Sequence, residues 1–362
     1  MPSHKVLFIH KFFTVGGGVE RVHKNLSTAL QQANVQSLFY VHDTTGESEE
    51  GFQKLSRECR AFGAHSNASL KHKLAFLFGL IKQEKVSVLI AATETANMLA
   101  LICKCRFPSL KVVYTRHCAF DVSDQKLPPW AIKLLYALYS FSNGKIVAVS
   151  EALKSQIQDV LFFGKRKVSF IPNAVLQPAI AELAEQKPDV SLPESYFCAV
   201  GRLVEQKGFD LLLDAYSQSI ELNTTLPELV IVGAGEDLEK LKAQAKSLGI
   251  DSRVHFTGFT TNPYAIIKSA EAFILSSRHE GMPTVLVEAI YLNTPVIAFD
   301  CPTGPSELIT PGETGILVTA LDTSALANAM QEYSKLKAKP ISDSVKQFSY
   351  ANVAAAYISQ FG

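Results

Sequence analysis

Two carboxylates, Glu280 and Glu288, stand with seven residues between them in the run SSRHEGMPTVLVEAIYLNTPVIAF. The run leaves an apolar strand, AFILSS, passes through a short loop and enters a helix near Pro283. Proline suits a first helical turn because the amide it lacks would have no partner there. Glu280 is therefore expected in the loop and Glu288 in the second turn, so the pair flanks a helix N-terminus. The stretch Gly281, Met282, Pro283 and Thr284 brings unpaired amides and the positive end of a helix dipole together, which favours an anion such as phosphate. A ligand joining a diphosphate to neighbouring hydroxyls fits that corner. Taken alone, such a pair is more often two solvated carboxylates, so the surrounding residues decide.

A second constellation lies in AVGRLVEQKGFDLLLDAY, where Gly201 and Arg202 end a strand and Lys207 and Gly208 open the next helix. Fixed cations there can stabilise the charge that develops on a departing diphosphate; the plainer alternative is surface charge beside a turn. Gly16, Gly17 and Gly18 sit between a strand and a helix, where an anion can approach the backbone closely. Arg21 stands where a third fingerprint glycine would be, so this is no dinucleotide motif. His117 follows a strand in VVYTRHCAF, beside Arg116, and is either a rim histidine or a site residue. VIVGAGED places Gly233 and Gly235 after a strand, and FTGF places Gly258 and Phe259 after another. No Asp-x-Asp occurs anywhere, so the usual paired carboxylates for a divalent ion on a diphosphate are missing and no metal or other cofactor is expected.

The elements that must position these groups follow one rhythm. Apolar runs alternate with helix-length amphipathic segments throughout, which predicts parallel sheets with crossover helices. Strands are expected at 5–10, 36–41, 86–91, 111–115, 145–149 and 167–171, with a helix from about Val19. A second series reads YFCAVGRL, LPELVIVGAG, VHFTGF, EAFILSS, PVIAFD and GILV. The chain of 362 residues thus divides into an N-terminal domain, 1–176, a proline-bearing linker, 177–193, and a C-terminal domain, 194–345. Asn173, just before the linker, reads as a hinge or turn residue.

Taken together, Glu280–x7–Glu288, GMP, PVIAFDCPTGPSELI and GETGILV resemble the retaining glycosyltransferases of family 4. The resemblance implies an α/β protein of two Rossmann-like doubly wound domains facing across a cleft, the arrangement called GT-B. It also implies that the helix 346–362 crosses back to the first domain. The implied reaction is retaining transfer of a hexosyl or N-acetylhexosaminyl group from a nucleotide sugar, preferably a UDP-sugar, to a hydroxyl of a glycan or lipid-linked glycan. Arg202 and Lys207 would hold the leaving diphosphate, Glu288 the ribose and Glu280 the donor sugar, with His117 near the reacting centre. Gly16, Gly17 and Gly18 would contact the diphosphate or the acceptor; Gly235, Gly258 and Phe259 would wall the nucleobase. DCPTGPSE is similar to members that build bacterial surface polysaccharide or lipopolysaccharide. A nucleotide-sugar epimerase of related architecture and a non-catalytic nucleotide-sugar binder stay open as alternatives.

Composition narrows the field further. A hydrophobic fraction of 47% supplies two cores, and a net charge of +1 gives no support for a nucleic-acid partner. The six cysteines, at 59, 103, 105, 118, 198 and 301, match no metal or redox spacing and read as cytosolic thiols. MPSHKVLFIHKFF reads as a first strand rather than a signal peptide, and no run approaches the ~20 apolar residues of a membrane span. The expected location is the cytoplasm. Two stretches leave open a peripheral contact with the inner face of the cell membrane: KHKLAFLFGLI and LPPWAIKLLYALYSF.

Overall fold

A computed structural model of the chain describes residues 4–15, 17–64, 68–118, 127–161, 163–336 and 343–362. Gly16 lies outside the described residues. The chain forms two compact units, Met1–Ala174 with Phe348–Gly362, and Val175–Gln347.

The first unit contains β1 (Lys5–His10), β2 (Gln36–Val41), β3 (Ala61–Gly63), β4 (Val88–Ala91), β5 (Lys111–Arg116), β6 (Lys145–Ala148) and β7 (Val168–Phe170). They form one parallel sheet in the order β3-β2-β1-β4-β5-β6-β7. Val6 to Ile9 of β1 are all at 0% exposure, so successive side chains are buried on both faces. That is why the parallel strands read as unbroken apolar runs instead of alternating ones. Helix starts are fixed locally by side-chain caps: Ser150 accepts from the Leu153 amide at 3.2 Å and Thr93 from the Ala96 amide at 3.4 Å. The C-terminal helix, Tyr350–Ser359, packs on the helix Gly18–Gln32, and its Tyr350, Val353, Tyr357 and the following Phe361 enter the first unit's core.

The second unit contains β8 (Tyr196–Val200), β9 (Glu228–Val232), β10 (Val254–Gly258), β11 (Ala272–Leu275), β12 (Val296–Asp300) and β13 (Gly315–Thr319). Their order is β10-β9-β8-β11-β12-β13. Both sheets reverse direction of winding beside their first strand, between β1 and β4 and between β8 and β11. Loops at the carboxyl ends of such neighbours diverge, and open sheets bind ligands there.

Two features depart from the sequence reading. The stretch 177–193 is not bare linker: Ile180–Ala184 is a helix that packs on the helix Tyr264–Lys268, and Asn262 donates to the Leu183 carbonyl at 2.9 Å. The short β3 and the helix Glu47–Glu58 had not been read, because neither carries an apolar run.

The cap at Ser150 gives a direct check. Ser150→Ala should lower stability by about 1 kcal/mol, seen as an earlier urea midpoint with unchanged slope.

Candidate functional site

In the second unit Arg202, Lys207, Glu280 and the start of the helix that carries Glu288 lie on the loops after β8 and β11, the neighbours at the reversal, whereas Gly235 follows β9, Gly258 ends β10 and Phe259 follows it. Gly201 and Arg202 follow β8 directly, and Arg202 is exposed. Lys207 ends a single 3-10 turn, Glu205–Lys207, and Gly208 then takes a left-handed conformation, φ +62°. A Cβ at Gly208 would lie 2.1 Å from the Ser276 carbonyl oxygen, so only glycine lets this loop reach the end of β11. The approach is sealed by polar bonds. Ser276 Oγ donates to the Lys207 carbonyl at 3.0 Å, the Arg278 amide to the Gln206 carbonyl at 2.8 Å, and Gln206 Nε2 to the His279 carbonyl at 3.0 Å. Arg278 also grips Asp210 through two bonds of 2.7 Å. Those bonds hold the Asp210 carboxyl below its usual pKa.

The result is a charge pair across the two loops. Lys207 Nζ donates to Glu280 Oε1 at 2.6 Å, and Ser277 Oγ donates to the same oxygen at 2.7 Å. Glu280 is in the loop, as expected, and 6% exposed. The helix Thr284–Tyr291 begins immediately after Pro283, which serves as its N-cap rather than its first helical residue. Gly281, Met282 and Thr284 make no backbone bond through their amides among the described residues. Glu288 falls in the second turn, as read, but its side chain is at 0% exposure.

The glycine loops have packing reasons of their own. A Cβ at Gly233 would lie 1.8 Å from the Gly201 carbonyl oxygen, and one at Gly235 would lie 2.2 Å from that of Leu203. The two therefore let the loop after β9 pack against the loop that carries Arg202. Gly258 is left-handed, with open space at its Cβ, and Phe259 beside it is exposed.

The first unit holds a different chemistry. His117 follows β5 and is half-buried. The Thr115 hydroxyl gives its one proton to the Ala91 carbonyl at 2.6 Å, so its oxygen accepts from His117 Nε2–H at 2.9 Å. That leaves Nδ1 as the acceptor of the ring. Behind it lie two histidines that the sequence reading missed. His23 Nδ1 and His10 Nε2 are 3.1 Å apart, and the His23 and His117 rings are 5.5 Å apart. Burial, and the charge the neighbouring groups would carry, depress all three: His10 to about 3, His117 to about 4, and His23 well below the ordinary value. Arg116 is spent elsewhere. It pairs with Glu94 at 2.7 Å, a carboxylate that also accepts from Tyr136 and Tyr139.

Gly17 is the N-cap of the helix Gly18–Gln32, and nothing crowds Gly18. A carboxylate already lies against this helix start: Glu20 accepts from the Thr14 amide and hydroxyl, each at 3.4 Å, and lies where a Cβ on Gly17 would go. An anionic ligand at this loop would have to displace it.

The two units match different family models. Residues 16–175 match Glycosyltransferase Family 4, and residues 182–351 match Glycosyl transferases group 1. Over 341 residues the chain is 33% identical to the lipopolysaccharide 1,6-galactosyltransferase of Escherichia coli K12, covering 91% of this chain and 89% of that protein. It is 26% identical to the lipopolysaccharide core biosynthesis glycosyltransferase LpsE of Rhizobium meliloti, covering 96% and 97%. The crystal structure of Anabaena HepE in complex with UDP superposes with a TM-score of 0.74 at 19% identity, covering 98% of this chain and 95% of that one.

The histidine cluster predicts an acid response. Unfolded histidines protonate near 6.5, whereas His10 and His117 resist until about 3 and about 4. A folded pKa held below the unfolded one means that stability is intact above about 6.5 and falls as pH drops toward 4. The slope approaches ~1.4 kcal/mol per pH unit for each such histidine. His23→Phe should flatten the decline between pH 6 and 4.5 in urea titrations; an unchanged slope would show that His23 contributes nothing to it.

Proposed function

Because the chain belongs to glycosyltransferase family 4 and is therefore a transferase, we propose that it moves a hexosyl or N-acetylhexosaminyl group from a UDP-sugar to a glycan hydroxyl with retention of anomeric configuration. One observation carries the reading: Lys207 and Glu280 are paired beside the open amides of Gly281, Met282 and Thr284, at the winding reversal of the second sheet. Family membership favours a transferase over the epimerase and the non-catalytic binder. The E. coli relative is named for lipopolysaccharide and the Anabaena structure holds UDP, which supports a UDP-sugar donor and a surface-polysaccharide or lipid-linked acceptor here.

In this reading Arg202, Lys207 and the amides of Gly281, Met282 and Thr284 take the diphosphate, and Glu280 orients the donor sugar. The bond from the anomeric carbon to the phosphate oxygen breaks through an oxocarbenium-like state. The acceptor oxygen bonds to the same face of that carbon, and its proton passes to the leaving phosphate oxygen. Side-chain cations and backbone amide donors stabilise the charge on the leaving group, so no metal step is invoked. Glu288 binds the ribose, which requires its buried carboxylate to be uncovered as the donor seats. His117 offers Nδ1 to a sugar hydroxyl.

The first unit also carries a face suited to a lipid surface. In the helix Pro129–Phe141, Ile132, Tyr136 and Tyr139 point inward. Trp130, Leu134, Leu138 and Phe141 are exposed at helical spacing, at 69%, 54%, 42% and 73%. Phe163, 74% exposed, lies by the end of this helix, since the Ser140 hydroxyl reaches its carbonyl at 3.4 Å. Exposed Lys133, Lys145, Lys165 and Arg166 accompany the patch, and neither 127–150 nor 160–181 contains an acidic residue. Apolar and basic groups suit an anionic bilayer, and the exposed carboxylates Glu151 and Asp159 lie on the next helix, Glu151–Val160. The other candidate helix, Leu70–Gln83, exposes Leu70 and Phe76 but keeps Leu77, Leu80 and Ile81 inside. No helix among the described residues is long and apolar enough to cross a membrane.

Two measurements test these assignments. Lys207→Ala and Glu280→Ala should each slow release of nucleoside diphosphate by roughly a hundredfold or more, equivalent to ~2.7–4 kcal/mol, while native turnover by either variant contradicts the site. On vesicles containing phosphatidylglycerol, the protein should co-sediment at low salt, and the double variant Trp130→Ser/Phe141→Ser should not. Dimerisation without vesicle binding would assign the face to a second copy instead.

A further inference from the structure

Among the described residues six that are not glycine have positive φ: Asn34, Lys85, Asn143, Asn293, Thr303 and Leu321. Five of them are exposed, and Asn34, Lys85, Asn143 and Asn293 lie just past helix ends, where a left-handed residue terminates the helix. Thr303 differs on each count. It is buried, at 8% exposure, it follows β12, and it is β-branched, which makes φ +63° a strained conformation.

The strain coincides with one contact. Thr303 Oγ1 donates to the backbone carbonyl of Glu280. Gly304, at φ +100°, seats the same turn against the site loop: a Cβ there would lie 2.4 Å from Pro283 Cδ and 3.4 Å from Met282 Cα. A trans peptide is planar, with its carbonyl and the following N–H on opposite sides. Fixing the Glu280 carbonyl toward Thr303 therefore fixes the Gly281 amide away from it. We propose that Thr303 is a positioning residue, whose strained hydroxyl sets the Glu280–Gly281 peptide plane and so aims the Gly281 amide at the donor's diphosphate. The proposal rests on the donor-site reading given above for that amide. It separates two roles at one position: the hydroxyl serves the ligand, and the β-branch only adds strain.

Three variants divide those roles. Thr303→Ser keeps the hydroxyl, Thr303→Val keeps the β-branch alone, and Thr303→Gly keeps neither. UDP is the probe, titrated calorimetrically into each intact protein. Serine should bind as the parent does, while valine and glycine should both weaken binding by about 5- to 10-fold, the size of one lost hydrogen bond. In the unliganded proteins, valine should melt below glycine by roughly 2–8 °C, because only valine retains the strained branch. Amide deuterium exchange over 276–284 should quicken in both the valine and glycine variants. Undiminished UDP binding by Thr303→Val, or parental exchange in that segment, overturns the proposal. A parent protein that binds no UDP would sink the donor assignment instead, and the exchange and melting comparisons would still decide whether Thr303 holds the loop.

Discussion

Much of the second unit's chemistry depends on how closely two loops approach each other at the ends of β8 and β11. Gly208 makes the approach sterically possible, and the grip of Arg278 on Asp210 keeps it closed. Only then can an ammonium and a carboxylate from distant parts of the chain share a 2.6 Å contact. A pair that is partly desolvated attracts more strongly than one in bulk water, but it also incurs the desolvation penalty of both ions. A second donor from Ser277 onto the same oxygen offsets part of that penalty. A cation already paired is also a cation already placed, so it needs little reorganisation to meet an incoming phosphate.

The two units differ in electrical character. The second gathers formal charges and amides that have no backbone partner. The first surrounds its strand ends with imidazoles that burial keeps neutral, and it pairs its nearest guanidinium, Arg116, to Glu94. Of the three only His117 is partly exposed, and a neutral imidazole there suits hydroxyl-rich groups, where an uncompensated charge would bind ions in their place. The Glu20 carboxylate over the helix start at Gly18 adds to this character, since it repels a second anion there.

Much of this was readable because buried parallel strands announce themselves. Gln36–Val41 and the six strands of the second sheet appear where apolar runs predicted them, and Glu280 sits in a loop because Pro283 marks a helix start. What escaped has no period. Ser277 and Thr303 are single hydroxyls whose importance lies in one bond each, and His10 and His23 become a cluster only when β1 and the helix after it fold together. β3 has three residues, too few to show a pattern. Gly235 was read as ligand wall, yet its most immediate neighbour is the Leu203 carbonyl. The same glycine signature serves close backbone packing and close ligand approach, and a sequence alone does not separate them.

The helix Tyr350–Ser359 has a bearing on biosynthesis. With the following Phe361, it supplies Tyr350, Val353, Ala354 and Tyr357 to a core whose other members all precede residue 175. A nascent chain leaves the ribosome from its N-terminus, so the earliest-made unit is the last to be completed. The second unit, contiguous in sequence, can close while the first still exposes the apolar side of Gly18–Gln32. Emergence of residues 350–361 is thus the event that lets the first unit become compact.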